Sequence, residues 1–191
     1  LGAPSSSGGG GGGGPSWNYD INTASFNGVS PHYRYTSQVN SMTTGFFLKP
    51  DGTAFFTMNS ANDRVRKHVM STAWDISTCS YNSVSSSGLT HPGGGPSKGL
   101  YFKPDGTIMY VTERNGTTDN ASGRAANIIQ FSLSTPFDIS TAQEVSNTRV
   151  EEEVGTNLAF LPHAIEFKPD GTRLFLIANT GTLVYQFDLS T

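Results

Sequence analysis

Four histidines (His32, His68, His91 and His163), one cysteine (Cys79) and two recurring sets of aspartates are the groups in this chain that could do chemistry. Acid–base, nucleophilic or metal chemistry needs such groups to converge, and the sequence brings few together. The histidines sit in different stretches without ligand spacing, and no CxxC pair, HExxH helix, phosphate loop or calcium loop occurs. His91 and His163 each precede a Pro-Asp-Gly-Thr phrase, in connections that would line a central face, so any metal or catalytic site would be there. Cys79 has no basic neighbour in sequence to lower its pKa and reads as a small buried residue. The expectation is therefore no enzyme, no catalytic residue, no metal and no cofactor.

The aspartates have a structural use. "LKPDGTAFFTM" at 48–58, "FKPDGTIMYVT" at 102–112 and "FKPDGTRLFLI" at 167–177 are one phrase written three times. Pro-Asp-Gly supplies a fixed φ, a side chain that bonds nearby backbone and a residue free to take positive φ, which together make a hairpin turn of Asp51, Asp105 and Asp170. A second phrase, at Tyr19, Trp74 and Phe137, reads aromatic-Asp-Ile-x-Thr and predicts a corner held by Asp20, Asp75 and Asp138. The two sets of aspartates are 31, 30 and 32 residues apart, so the unit is regular.

Strands must frame these turns. Before each hairpin the apolar positions alternate, as in Phe46 and Leu48, Leu100 and Phe102, and Ile165 and Phe167, which predicts a strand with one buried face. After each hairpin "FFTM", "MYVT" and "LFLIA" are nearly continuous and predict strands covered on both faces. Third strands follow in "RVRKHVMST", "NIIQFSLST" and "LVYQFDLST", with Arg66, His68 and Met70, then Ile129, Phe131 and Leu133, then Tyr185, Phe187 and Leu189 inward. Four strands per unit of about 50 residues is the arithmetic of a propeller blade. The expected fold is all-β: three four-stranded antiparallel blades over 17–71, 72–134 and 135–191, in an incomplete or open propeller, with a Ser/Gly-rich arm at 1–16.

The PDGT hairpins, "VYQFDLST" and "WDIST" resemble the YVTN-like repeats of bacterial and viral β-propeller proteins, over residues 17–191. The resemblance implies the fold; such propellers serve as enzymes, adhesins and scaffolds.

Three blades are fewer than the four to eight of a closed ring. The chain opens on Leu1 without a leader, which suggests either a cleaved leader or a segment of something longer. It can be a fragment of a longer propeller, half of a two-copy ring, or a unit joined head to tail. The seven glycines Gly8–Gly14 lose much entropy on ordering and need a partner to fix them; otherwise they are a flexible linker. Their position before Trp17 suggests an arm laid on a neighbouring copy. Gly8, Gly11, Gly14, Trp17, Tyr19 and Leu189 are the expected contacts. Arg66 and His68 stand where the other units are apolar, so that strand belongs at an edge, an interface or a channel wall. Arg64, Arg66 and Lys67 would then face Glu151, Glu152 and Glu153 of a neighbour, unless these are two separate solvated patches. Asn115 and Asn120 are acceptor positions for glycosylation in an insertion, "ERNGTTDNASGRAAN", read as an exposed loop.

Charged residues are only 14% of the chain and its net charge is −3, which gives no footing to nucleic acid; no apolar run is long enough to insert in a membrane. The expected partner is the chain itself, as a homo-oligomer, in an extracellular self-assembling helical filament or virion appendage. The alternative is a glycan- or protein-binding propeller module with surface aromatics such as Tyr33, Tyr35 and Tyr81. A lactonase-type enzyme would need acids or histidines converging on a central channel.

Overall fold

A computed structural model describes residues 25, 43–60, 63–82, 97–115, 125–150, 162–178 and 183–190. Each Lys-Pro-Asp-Gly-Thr phrase closes in the same way. Gly52, Gly106 and Gly171 take φ of 71°, 75° and 75°, a conformation that only glycine adopts freely. The aspartate Oδ1 accepts from the backbone N–H of Thr53, Thr107 and Thr172 at 3.0 Å, and from the threonine hydroxyl at 2.6–2.7 Å. Its Oδ2 meets the lysine Nζ of Lys49, Lys103 and Lys168 at 2.6, 2.8 and 2.5 Å. The lysine hydrogen bond, then the threonine, holds Asp51 and Asp170 well below the usual carboxylate range and Asp105 at about 2.

These turns join the strands β1 (Thr43–Leu48) to β2 (Ala54–Asn59), β5 (Ser97–Phe102) to β6 (Ile108–Asn115) and β9 (Pro162–Phe167) to β10 (Arg173–Ala178). Third strands follow: β3 (Arg64–Met70), β7 (Ala125–Leu133) and β11 (Val184–Asp188). Fourth strands are β4 (Cys79–Asn82) and β8 (Ala142–Arg149). The chain is thus all-β, with antiparallel sheets ordered β1-β2-β3-β4, β5-β6-β7-β8 and, among the described residues, β9-β10-β11. β1, β5 and β9 lie against one another, so they are the innermost strands and the sheets fan out as the blades of an open propeller.

The corners are made as their composition demands. Asp75 and Asp138 cap short 3-10 turns at Ile76–Thr78 and Ile139–Thr141, accepting from the N–H of Ser77 and Ser140. The aromatic before each takes a left-handed φ, 66° at Trp74 and 58° at Phe137. Its N–H donates to the carbonyl of the hairpin glycine, Trp74 to Gly52 and Phe137 to Gly106.

The core lies between the blades. Phe56, Met58 and Val65 of the first blade pack with Leu100, Phe102, Met109, Val111, Ile129, Phe131 and Phe137 of the second. A second cluster joins Tyr101 and Val150 to Ile165, Leu174, Leu176 and Ala178 of the third. Gly45 and Gly99 let the inner strands approach: a Cβ at Gly45 would stand 2.8 Å from the Lys98 carbonyl oxygen, and one at Gly99 would stand 3.3 Å from the His163 carbonyl oxygen.

Several expectations need correction. β5 is buried on both faces because it has a blade on each side, so Tyr101 is as enclosed as Leu100. Phe46, expected inward, is 60% exposed. β10 is covered on one face: Leu174, Leu176 and Ala178 are buried while Ile177 is 47% exposed, since no described blade lies beyond the third. In β3 the buried positions are Val65, His68 and Met70, with Arg66 half-buried. Leu189, expected inward, is exposed. The insertion of the second unit is not all loop, because the β6–β7 ladder runs out to Asn115 and Ala125 and encloses Glu113 and Asn127.

Candidate functional site

All three inner strands break register at the same end. β1 pairs with β2 at Gly45↔Met58 and next at Thr43↔Asn59, leaving Thr44 as an extra residue. β5 pairs with β6 at Leu100↔Val111 and next at Ser97↔Glu113, leaving Lys98 and Gly99 opposite Thr112. β9 pairs with β10 at Ala164↔Ile177 and next at Pro162↔Ala178, leaving His163. A bulge bends its strand and re-aims the side chain it carries. Counted back from the three Lys-Pro-Asp-Gly-Thr phrases, Thr44, Lys98 and His163 occupy one equivalent position. The bulges therefore set a hydroxyl, an ammonium and an imidazole on one rim of the inner strands.

The rim is tied in place from several elements. Thr44 Oγ1 donates to the Ser97 carbonyl at 3.3 Å, and Asp63, at the start of β3, accepts the Ser97 N–H at 2.8 Å. The Gly99 N–H donates to Thr112 Oγ1 at 2.7 Å. Ser97, Thr112, Glu113 and Asn127 are buried, and Glu113 pairs in register with both Ser97 and Asn127. Asn127 Oδ1 has no hydrogen-bond partner among the described residues. Desolvation, and then the Lys98 charge, lower the pKa of His163 although its side chain is exposed, which favours the neutral imidazole. A neutral imidazole beside an ammonium can take a proton while the cation steadies a developing oxyanion. Among the described residues no cluster of three or more His, Cys, Asp or Glu could hold a metal.

Of the residues singled out from sequence, His163 lies on this rim, in β9 itself. His68 does not: it is buried in β3, stacked on Phe55 at 4.5 Å, with Nε2 3.4 Å from Thr57 Oγ1, and burial drops its pKa to about 4. Cys79 is buried. Lys67 is used within the chain, donating from Nζ to the Phe137 carbonyl at 3.0 Å and so joining the first blade to the second. Arg64 is exposed and Arg66 half-buried on β3. Leu189 lines a cleft between the hairpins of the second and third blades. Asn115 ends β6. Gly8, Gly11, Gly14, Trp17, Tyr19, Asn120, Glu151, Glu152, Glu153, His32 and His91 lie outside the described residues. Sequence reading passed over Thr44, Lys98, Glu113 and Asn127. The signal for the first two was their shared column with His163; Glu113 and Asn127 were hidden in a stretch read as loop.

No family model and no curated protein matches the chain. Solved structures do. A candidate 6-phosphogluconolactonase from Bacteroides uniformis is 16% identical with a TM-score of 0.54, over 86% of this chain and 42% of its own. Another from Bacteroides fragilis is 14% identical with a TM-score of 0.53, over 79% and 36%. The periplasmic gluconolactonase of Pseudomonas aeruginosa is 14% identical with a TM-score of 0.52, over 78% and 38%. At these identities the likeness shows the β-propeller fold; the narrower YVTN-type assignment gains no support. This chain spans about two fifths of the length of each.

The match overturns the filament reading. Three blades that superpose on part of a lactonase propeller are arranged around an axis, so exposed faces on the outer blades are accounted for without a helical polymer or virion appendage. These structures are named as lactonases, and at 14–16% identity the likeness is one of fold.

Proposed function

We propose that the chain is part of a lactonase-like β-propeller and that the bulged rim of its inner strands takes a sugar lactone. The observation that carries this reading is the coincidence of three register breaks at the equivalent residues Thr44, Lys98 and His163. Lys98 is the cation for the carbonyl oxygen, or for a carboxylate or phosphate on the substrate. His163, as the neutral imidazole, takes a proton from water as its oxygen attacks the lactone carbonyl carbon. The acyl–oxygen bond of the ring then breaks, and the imidazolium returns the proton to the departing ring oxygen.

The test is lactone opening by the chain, with 6-phosphogluconolactone and gluconolactone as probes, followed as acid release above the buffer rate. His163→Gln should lower kcat by ~10²-fold or more, the usual worth of a positioned base. Lys98→Ala should act mainly on KM for the phosphorylated lactone. No opening above buffer, or equal rates in all three proteins, would refute the assignment.

A further inference from the structure

Lys98 stands in a stretch of β5 that the ladder does not hold. Pairing with β6 is in register at Ser97↔Glu113 and next at Leu100↔Val111, so contacts on either side of Lys98 must set its place. On one side the Gly99 N–H donates to Thr112 Oγ1 at 2.7 Å. On the other side the contacts come from the first blade. Asp63 Oδ1 accepts the Ser97 N–H at 2.8 Å, and Thr44 Oγ1 donates to the Ser97 carbonyl at 3.3 Å. That carbonyl lies in the rigid peptide plane leading into Lys98, so turning it would swing the lysine.

The Asp63 contact is not part of the repeat's common chemistry. Counted back from the Lys-Pro-Asp-Gly-Thr phrases, the third-blade equivalent of Ser97 is Pro162, which has no N–H. With the third strands aligned on their Ser-Thr ends, the second-blade equivalent of Asp63 is Ala126, a residue type with no side-chain acceptor. The tie therefore exists at the junction that carries Lys98, and the next junction has neither of its partners. Asp63 also holds a φ of 49°, a left-handed conformation that aspartate and asparagine tolerate better than most side chains. Beyond Lys98 there is little slack, because its carbonyl oxygen lies close over Gly45 and Gly99 lies close to the His163 carbonyl. A shift at Ser97 is thus felt between Lys98 and His163.

We infer that Asp63 and Thr44 of the first blade are positioning residues for Lys98, holding the two backbone groups of Ser97 so that the ammonium stays beside His163. The inference rests on the reading of the rim as a lactone site. Asp63 supplies an acceptor at a fixed place, which an amide oxygen can replace, and the Thr44 hydroxyl is turned to the neighbouring strand. The first blade in this way sets the cation of the second.

The test is the titration of the His163 imidazole by proton NMR, its signal assigned by its loss in His163→Gln, alongside opening of 6-phosphogluconolactone. Asp63→Gly keeps the left-handed backbone and removes the acceptor, whereas Asp63→Asn keeps both. Because the Lys98 charge helps to lower the His163 pKa, Asp63→Gly should raise it toward the ordinary 6.5, with Asp63→Asn close to wild type. Loss of the Asp63 charge alone would move it the other way. In a Lys98→Ala background Asp63→Gly should move it no further, since the two act as one unit. The KM for the phosphorylated lactone should rise roughly tenfold in Asp63→Gly, the worth of one hydrogen bond to a charged group, with kcat less affected. An Asp63→Gly chain, folded by far-ultraviolet dichroism, whose His163 titrates as in wild type, or shifts equally without Lys98, overturns the inference. If Asp63→Gly does not fold, Thr44→Val gives the same reading through the second tie. A wild-type chain that opens no lactone overturns the function proposed for the rim and leaves the titration to decide the positioning.

Discussion

Trp74 and Phe137 make a controlled comparison of what holds the blades together. Both belong to the same phrase, both take left-handed φ, and both lie on a hairpin glycine to which they donate the same hydrogen bond. They differ in the wall they meet. Phe137 is 7% exposed among Phe47, Phe56 and Phe102, whereas Trp74 is 64% exposed. Truncating a buried phenylalanine loses its transfer free energy and leaves a cavity, together about 3–5 kcal/mol. The cost for Trp74→Ala, with most of its ring already in water, should be about 1 kcal/mol, set by the ~25 cal/mol per Å² of the face laid on Gly52. At roughly 2–4 °C per kcal/mol for a chain of this size, Phe137→Ala should lower Tm by about 10 °C and Trp74→Ala by only a few. Urea titrations followed by tryptophan fluorescence for Phe137→Ala, and by far-ultraviolet dichroism for both variants, read the difference. Equal losses, or a loss below 1 kcal/mol at Phe137 by this reckoning, would refute the claim that the core lies between the blades.

Other substitutions probe the remaining contacts. Gly45→Ala puts a Cβ 2.8 Å from a backbone oxygen and 3.0 Å from the Cβ atoms of Leu100 and Met58, so it should cost about 1–3 kcal/mol by denaturant titration. No described residue meets a Cβ at Gly171, so Gly171→Ala should cost the left-handed penalty of about 1–2 kcal/mol, while Gly106→Ala adds a clash with the Phe137 ring and should cost measurably more. His68, whose folded pKa is lowered to about 4, binds its proton more readily when unfolded. The stability this gives is fully present above the ordinary value of about 6.5 and is lost as pH falls toward 4. His68→Phe, which can keep the stack on Phe55, should therefore flatten the fall in stability between pH 6.5 and 4.5.

The fold was legible wherever local chemistry decides it. Asp51, Asp105 and Asp170 needed only their own turns, and Asp75 and Asp138 only their own corners, so the phrase was enough. What depends on neighbouring blades was not legible. The same alternating pattern is one-sided in β9 and two-sided in β5, because burial is set by how many blades flank the strand. Lys67, expected to face the acids of a neighbouring copy or to lie in a solvated patch, spans a blade junction through a contact 70 residues away in sequence. The rim was hidden for a related reason: a bulge is a mismatch between two strands, and neither strand shows it alone. Glu113 and Asn127 were concealed by the polar composition of the hairpin that encloses them.

The most direct test of the account is the pH dependence of lactone opening by the wild-type chain and by His163→Gln. If the rim is the site, kcat/KM should rise with pH through an apparent pKa below the ordinary histidine value, because desolvation and Lys98 favour the neutral ring, and His163→Gln should abolish that limb. A pH profile that the substitution leaves unchanged, or one indistinguishable from buffer, would contradict it.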